Sequence, residues 1–417
     1  MDQKQESLLD VSEARDFLLN KSSTIGIEEI DLQDALDRIV AEDIFALFDY
    51  PSFANSAMDG FAVRSVDVKD AGELNPVLLR VIADIPAGTS TPPILGPGQA
   101  ARIMTGAMLP PGADAVIPIE NTDHFQAESL DRKPEATKVF RSVKPGDFIR
   151  PVGQDVKKGQ LLLGKGRKLG PAQLGLCSLF GLRRVSTWKK PKIAIISSGD
   201  EIIASGDNFV PGKVFDANSL MLKSLVERCG GEALTLGIVP DLKQVVQARM
   251  DAAVSLGVDL IISSAGVSVG AFDYMRMVVE ENGQIDFWKV NMRPGKPLVS
   301  GTYQEISYLG LPGNPVSAFI GFLVFIEPMI KKMTGNANLF RDEISVQVKE
   351  DIYSDGRQSF LRAVVSEENG IRVGELIGHQ GSGNIYSLGQ ANTLLIIPSG
   401  VKSVRSGEEV KAWSLGE

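Results

Sequence analysis

Between Lys192 and Gly335 the chain alternates short apolar runs with helical patterns, and three glycine-bearing loops fall where a strand gives way to the next element. They are Ser197-Ser198-Gly199-Asp200-Glu201, Ser263-Ser264-Ala265-Gly266-Val267-Ser268-Val269-Gly270 and Leu311-Pro312-Gly313-Asn314-Pro315, all within about 120 residues. Strands and helices of this length in alternation predict a doubly wound α/β sheet. In such a sheet ligands bind beyond the carboxyl ends of the strands, where glycine lets backbone N–H groups approach an anion. The pattern therefore predicts a site for a phosphorylated small molecule.

Within this region the spacing predicts strands at Ile193–Ile196, Ala233–Val239, Leu260–Ile262, Phe287–Asn291 and Ile306–Leu309. Helices are predicted at Asn218–Arg228, from a cap at Asp241 to Leu256, at Phe272–Glu281 and at Val316–Met333. Upstream, Val11–Leu19 with Ser12 as cap and Ile27–Val40 read as helices, and Pro171–Phe180 as a third. Short runs such as Leu78–Ile85, Ala100–Met104 and Ala115–Ile119 make the stretch from Phe45 to Arg150 β-rich. After Gly335, strands at Ile344–Val348, Phe360–Val365, Ile371–Leu376 and Leu394–Ile397 predict a small β domain or barrel.

A length of 417 residues suggests roughly three domains, and 23% charged with 43% hydrophobic residues is ordinary for a globular enzyme. The net charge of -9 speaks against broad nucleic-acid binding. With only Cys177 and Cys229 there is no disulfide framework, and both thiols are expected in the core. His124 and His379 lie too far apart in sequence for ligand spacing. No run of about 18 uncharged apolar residues and no leader pattern occurs, so a cytoplasmic protein without a membrane partner is expected. Carboxylates, hydroxyls, lysines and backbone amides must then carry the chemistry.

The first loop sets hydroxyls, glycine and two carboxylates at a strand end, the hard oxygen ligands that suit Mg²⁺ on a phosphate; Asp200 is equally able to cap a helix. The second offers Ser264, Gly266, Ser268 and Gly270, with Asp273 placed either to orient a metal or to meet a helix dipole. Lys289, Arg293 and Lys296 set three cations within eight residues beside Arg293-Pro294-Gly295-Lys296-Pro297. That suits an oxyanion and also suits a solvated surface. Asn55-Ser56-Ala57-Met58-Asp59-Gly60-Phe61-Ala62 reads either as a turn in which Asp59 bonds its own backbone or as part of a site. Arg102–Ala107 with Pro110–Ala115 reads as strand, turn and strand.

Taken in order across nearly the whole chain, Asn55–Ala62, Arg102–Ala115, Gly153-Gln154-Asp155-Val156, Ser197–Glu201, Gly266–Gly270, Arg293–Pro297 and Leu311–Ser317 resemble the MoeA family. These are the molybdopterin molybdenumtransferases, related to the E domains of a plant protein and of gephyrin. The resemblance implies a doubly wound α/β molybdopterin-binding domain (188–340), a split helical domain (1–49 and 151–187), a β-rich insertion domain (50–150) and a small C-terminal β-barrel domain (341–417). It implies an elongated homodimer that binds adenylylated molybdopterin and molybdate, inserts the metal and releases AMP with Mg²⁺. It also extends to contacts with the molybdopterin adenylyltransferase and with apo-molybdoenzymes.

Carried over by motif, Asp59, Thr105 and Asp155 would line the cleft, and Glu201, Asp241 and Asp273 would be its α/β carboxylates, with Glu201 and Asp273 on the metal. Ser198, Gly199, Ser264, Gly266, Ser268, Gly270, Lys289, Arg293, Lys296, Pro312, Gly313, Asn314 and Ser317 would hold phosphate or molybdate. A cleft formed between subunits would bring Asp59 and Glu201 from different chains. Two positions depart from the family: Ala265 stands where glycine is usual, and Phe61 where tyrosine is frequent. Neither touches a charged position, so activity is expected to survive. A gephyrin-like scaffold and a molybdopterin adenylyltransferase are the competing readings. The first needs an attached partner domain that is missing here, and the second lacks the two β domains.

Overall fold

The computed structural model describes residues 8–125, 132–265 and 274–416. The chain divides into two units, Met1–Glu42 with Lys165–Gly175 and Leu182–Glu417, and Asp43–Gly164 with Leu176–Gly181. In the first unit the organising element is strand β1 (Lys192–Ser198), in which Ile193, Ala194, Ile195 and Ile196 expose nothing. Successive side chains of a strand point to opposite faces, so a run that is apolar throughout must be covered on both. Ile193 and Ile195 pack with Leu222, Leu225 and Val226 of helix α1 (Asn218–Arg228), whereas Ala194 and Ile196 meet Val246 and Met250 of helix α2 (Lys243–Ser255).

Strands β2 (Glu232–Val239) and β3 (Leu260–Ser264) flank β1 in parallel. Helix α3 (Tyr274–Asn282) and strands β4 (Gly283–Lys289), β5 (Pro297–Tyr303) and β6 (Ile306–Leu311) follow, giving the order β2-β1-β3-β6-β5-β4. β2, β1, β3 and β6 pair in parallel, and the last two pairings, β6–β5 and β5–β4, are antiparallel, so β5 alone runs in the opposite direction. The chain leaves β1 towards β2 and then crosses to β3 on the other side. This reversal opens a crevice beyond the carboxyl ends of β1 and β3. Helices α4 (Pro315–Gly321) and α5 (Glu327–Met333), joined by a π-helical turn at Phe322–Ile326, close the layer on the α1 face.

Beyond it, Gln358–Glu368, Ile371–Leu376, Ile344–Val348, Glu409–Ser414 and Thr393–Ile397 pair in that order, and Thr393–Ile397 pairs again with Gln358–Glu368. The five strands thus close into a barrel with no free edge. Phe360, Leu394, Ile396 and Trp413 belong to the same core as β1 and α5. A two-residue strand, Met292–Arg293, adds in parallel to the barrel at Gln358–Ser359 and so fixes the cation-bearing turn to it.

In the second unit a five-stranded sheet has the order Ala115–Pro118, Gly60–Val63, Gln99–Ile103, Val77–Ile85, Ala136–Val139. Among the described residues no helix is long and apolar enough to cross a membrane.

Several local expectations are corrected. Ile27–Asp31 is a strand paired with Arg184–Trp188, followed by a single 3₁₀ turn at Leu32–Asp34; the helical spacing of its apolar residues yields to the ladder, and Asp37 at φ 62° ends any helix. The first helix runs over Val11–Lys21 and is capped by Asp10, whose carboxylate accepts the Ser12 N–H at 2.9 Å, so Ser12 is not the cap. Asp241 does not cap α2 either, since that helix opens at Leu242 without a side-chain cap. Cys177 is buried, but Cys229 is only half-buried at the end of α1. Truncating Ile195 to Ala removes side-chain volume from the α1 face of the sheet and should lower the unfolding free energy of this unit by about 2–5 kcal/mol, read by urea denaturation of both proteins.

Candidate functional site

Three of the four parallel strands, β1, β2 and β6, deliver a carboxylate or a turn to the crest of the sheet. After β1, Gly199 adopts φ +144°, and a methyl group built on it would lie 2.6 Å from Glu201 Oε2. That φ favours glycine, whereas the Glu201 carboxylate, at the end of a flexible side chain, could swing aside from a Cβ. Asp200 is not a helix cap: its Oδ1 accepts the backbone N–H of Asp241 at 3.2 Å, and Lys213 Nζ donates to its carbonyl oxygen. Asp241 itself follows β2. Burial first, then the charges of Asp200 and Glu201, push its carboxyl above the ordinary value. Three carboxylates therefore crowd one corner, with Lys213 a neighbouring cation that the motifs did not single out.

Among the described residues no group of three or more His, Cys, Asp and Glu is gathered closely enough to hold a metal by itself. Magnesium asks for less, one or two carboxylates completed by phosphate and water. A crowded set that disfavours its own charge fits that donor requirement, with Glu201 and Asp241 as the side chains that would hold the ion. Asp273 lies outside the described residues, as do Gly266, Ser268 and Gly270.

The oxyanion expectation has a physical counterpart in a cleft of about 350 Å³. Arg293, Lys296, Pro312, Asn314 and Ser317 line it, and the barrel adds Arg357, Gln380 and Ser382. Arg293 and Lys296 are exposed, while Ser317 is buried at the start of α4. Lys289 does not line the cleft; its Nζ lies 3.6 Å from the centre of the Trp288 ring. Arg293 has a carboxylate within reach, Asp355 at 3.8 Å, which Arg357 binds more closely through Nε at 3.0 Å. The Arg357 hydrogen bond, with Arg293 assisting, holds Asp355 below its ordinary value.

Arg357, Gln380 and Ser382 carry no glycine-loop signature, and only pairing across the barrel brings them here. The 379–382 loop is shaped by Arg362, which is fully buried and has no carboxylate partner among the described residues. Its guanidinium donates to the His379 carbonyl at 3.0 Å, the Gly381 carbonyl at 3.1 Å and Ser387 Oγ at 3.0 Å. Burial alone lowers its pKa from the ordinary value. Ser382 in turn accepts from Asn314 Nδ2 at 2.9 Å, and its carbonyl accepts the Val316 N–H at 3.2 Å.

A larger cavity, about 510 Å³, lies at the far ends of α1 and α5. No glycine loop reaches it, and two of its lining cations are paired within it, Lys168 with Asp37 at 2.8 Å and Lys331 with Glu327 at 2.9 Å. Cys229 lines it with a thiol pushed up to about 12, chiefly by burial, and is inert as a nucleophile near neutral pH.

Asp59 and Thr105 are brought together in the second unit. Their strands are antiparallel neighbours with Gly60 opposite Ile103, and Asp59 Oδ1 accepts from Thr105 N at 2.7 Å and from Thr105 Oγ1 at 2.8 Å. The carboxylate therefore does not bond its own backbone. Asp155 accepts from Arg150 Nη2 at 2.6 Å. Phe61 is fully buried against His124, with ring centres 5.5 Å apart. Ser198 and Ser264 are also buried, and Ser264 Oγ accepts from Asn218.

Ala265 sits at φ +86°. That left-handed conformation is unfavourable for a residue with a Cβ by about 1–2 kcal/mol, and glycine would adopt it freely. Ala265→Gly should raise stability by up to about 1 kcal/mol after the extra freedom of glycine in the unfolded chain is set against it, measured by denaturant titration.

Asp241 gives a pH-dependent test. A carboxyl whose folded pKa exceeds its unfolded one weakens the fold increasingly as pH rises through the ordinary carboxylate range, and the loss is complete above the folded value. Asp241→Asn should therefore raise the thermal midpoint at pH 7 in metal-free buffer by on the order of 1 °C, less at pH 4.

Comparison with known proteins places this geometry among relatives. The MoeA N-terminal region (domain I and II) matches residues 9–181, a probable molybdopterin binding domain matches 194–332, and the MoeA C-terminal region (domain IV) matches 345–415. A Nostoc protein named molybdopterin molybdenumtransferase is 35% identical over 397 residues, 93% of this chain and 88% of its own. One from Haemophilus influenzae with the same name is 35% identical over 391 residues, 92% of each chain. The crystal structure of a molybdopterin biosynthesis MoeA protein from Pyrococcus horikoshii superposes with a TM-score of 0.83 at 32% identity, over 98% of this chain and all of that one.

Proposed function

The chain belongs to the MoeA family of molybdopterin molybdenumtransferases, and we propose that it inserts molybdate into adenylylated molybdopterin with release of AMP. It is an enzyme of molybdenum cofactor biosynthesis, and relatives spanning more than nine-tenths of the chain carry that transferase name. No observation favours a scaffold or an adenylyltransferase.

The observation that carries the reading is the cleft where Arg293, Lys296 and Arg357 converge with the donors of Asn314, Ser317 and Ser382. A dianionic tetrahedral oxyanion such as molybdate matches that set in charge and in hydrogen-bonding capacity. In this reading the cleft concentrates molybdate, and the carboxylate corner at the ends of β1 and β2 receives the phosphoanhydride. Glu201 and Asp241 are the side chains that would hold Mg²⁺ there, and the ion would supply charge neutralisation to the phosphoryl oxygens. Asp200 orients Asp241 through its backbone N–H. Water attacks the molybdopterin-side phosphorus, the P–O bond to AMP breaks, AMP leaves with the bridging oxygen and the water's proton passes to solvent; the two dithiolene thiols form Mo–S bonds as one oxygen of molybdate leaves as water carrying their two protons, with molybdenum remaining Mo(VI).

The reading also includes the four-domain division, a homodimer, a cytoplasmic location, contacts with the molybdopterin adenylyltransferase and apo-molybdoenzymes, and Asp59, Thr105, Asp155, Lys289 and Asp273 as further site residues. These rest on family membership.

Purified protein supplied with adenylylated molybdopterin, molybdate and Mg²⁺ should release AMP, and Glu201→Ala should lower kcat by about 10²-fold or more. AMP release that proceeds equally without molybdate would overturn the assignment.

A further inference from the structure

Asn218 opens α1 and is 6% exposed, with its backbone N–H on Asp216 Oδ1 at 3.0 Å. Its side chain reaches two elements distant in sequence. Nδ2 donates to Ser264 Oγ at 2.6 Å and to the Gly313 carbonyl at 2.7 Å. Ser264 ends β3 at the second glycine loop, and Gly313 sits in the third. The amide orientation follows from the chemistry: turned over, its carbonyl oxygen would face the Gly313 carbonyl, and two acceptors would meet without a proton. Asn218 Oδ1 is left buried without a hydrogen-bond partner. Ser197 Oγ, on the residue opposite Ser264 in the β1–β3 ladder, is also buried and unpartnered.

Buried polar atoms without partners are unfavourable and persist where something else requires the arrangement. Here the requirement is spacing. The Ala265 N–H donates to the Leu311 carbonyl at 3.0 Å, and a methyl group on Gly313 would stand 3.3 Å from the Ala265 Cβ. The two loops already touch, and the carboxamide is the bracket that holds them there. Next in sequence, Asn314 and Ser317 line the oxyanion cleft.

We propose that Asn218 is a positioning residue of the insertion reaction: through Ser264 Oγ and the Gly313 carbonyl it sets the separation of Ser264–Ala265, at the end of β3, from the third glycine loop, and with it the cleft that takes the tetrahedral oxyanion. The proposal rests on the reading of that cleft as the molybdate site. It requires the carboxamide's two N–H donors, not merely its volume.

Asn218→Asp keeps the shape, replaces the donors by a charged acceptor and leaves a residue that helix N-termini favour, so α1 should stay folded. The expected result is a KM for molybdate raised at least tenfold with kcat within about threefold, and amide exchange at Ala265 accelerated at least tenfold in the substrate-free protein. Ser264→Ala deletes one arm of the bracket and should give a smaller change of the same kind. The exchange measurement needs no turnover. A parent protein whose AMP release ignores molybdate would therefore defeat the functional reading while still leaving the bracket to be judged. Folded Asn218→Asp with KM and Ala265 exchange both within twofold of the parent overturns the proposal. Should Asn218→Asp fail to fold, unchanged values in Ser264→Ala do the same.

Discussion

The site depends on one constraint, that β1 must be covered on both faces. Its run of residues from Ile193 to Ile196 has no exposed surface, and here a layer of helices on each face of the parallel strand buries both sides. Parallel strands point their carboxyl ends the same way. Gly199–Glu201, Asp241 and Pro312–Asn314 therefore arrive at one crest without any of them contributing to the core. The polar chemistry is carried by loops, and the loops are placed by hydrocarbon.

Charge is then sorted along that crest. Asp200, Glu201 and Asp241 collect at the β1 and β2 ends, while Arg293, Lys296 and Arg357 collect where the β6 loop meets the barrel. Two anionic substrates that must react impose different demands. One carries phosphates that are best met through a divalent ion, and the other is a bare oxyanion best met by guanidinium, ammonium and amide groups. The sorting is incomplete within the cleft, where Asp355 binds Arg357 and lies 3.8 Å from Arg293.

The α/β layer was legible because its apolar runs and glycine loops are local signals. Asn218–Arg228 and Ile371–Leu376 came out to the residue. Strand Pro297–Tyr303 was not read, because the Arg293–Pro297 turn that precedes it looks like an ending. Ile27–Asp31 was misread because Ile27 and Ile30 keep helical spacing although they pair with a strand more than 150 residues away. The carboxylates and the Arg293–Lys296 cations were visible as motifs. Arg357, Gln380 and Ser382 were not, since they reach the cleft only by closure of a barrel whose strands pair out of sequence order. Lys213 and Asn218 were invisible for a related reason: each acts through a backbone carbonyl of another loop, and a carbonyl has no sequence signature.

Arg362 shows how far such placement goes. A fully buried guanidinium is usually balanced by a carboxylate, because desolvating an unpaired charge is costly. Here the balance comes from loop carbonyls and one hydroxyl, which solvate the cation but do not cancel its charge. Arg357 is largely cancelled by Asp355, and Arg293 is partly so. The charge of Arg362 survives, and the loop it folds is the one that brings Gln380 and Ser382 to the cleft. Because it is shielded from solvent, ionic strength weakens its field less than that of a surface lysine. One buried residue thus shapes the loop that forms the barrel's wall of the cleft, holding it by three hydrogen bonds from a single planar group.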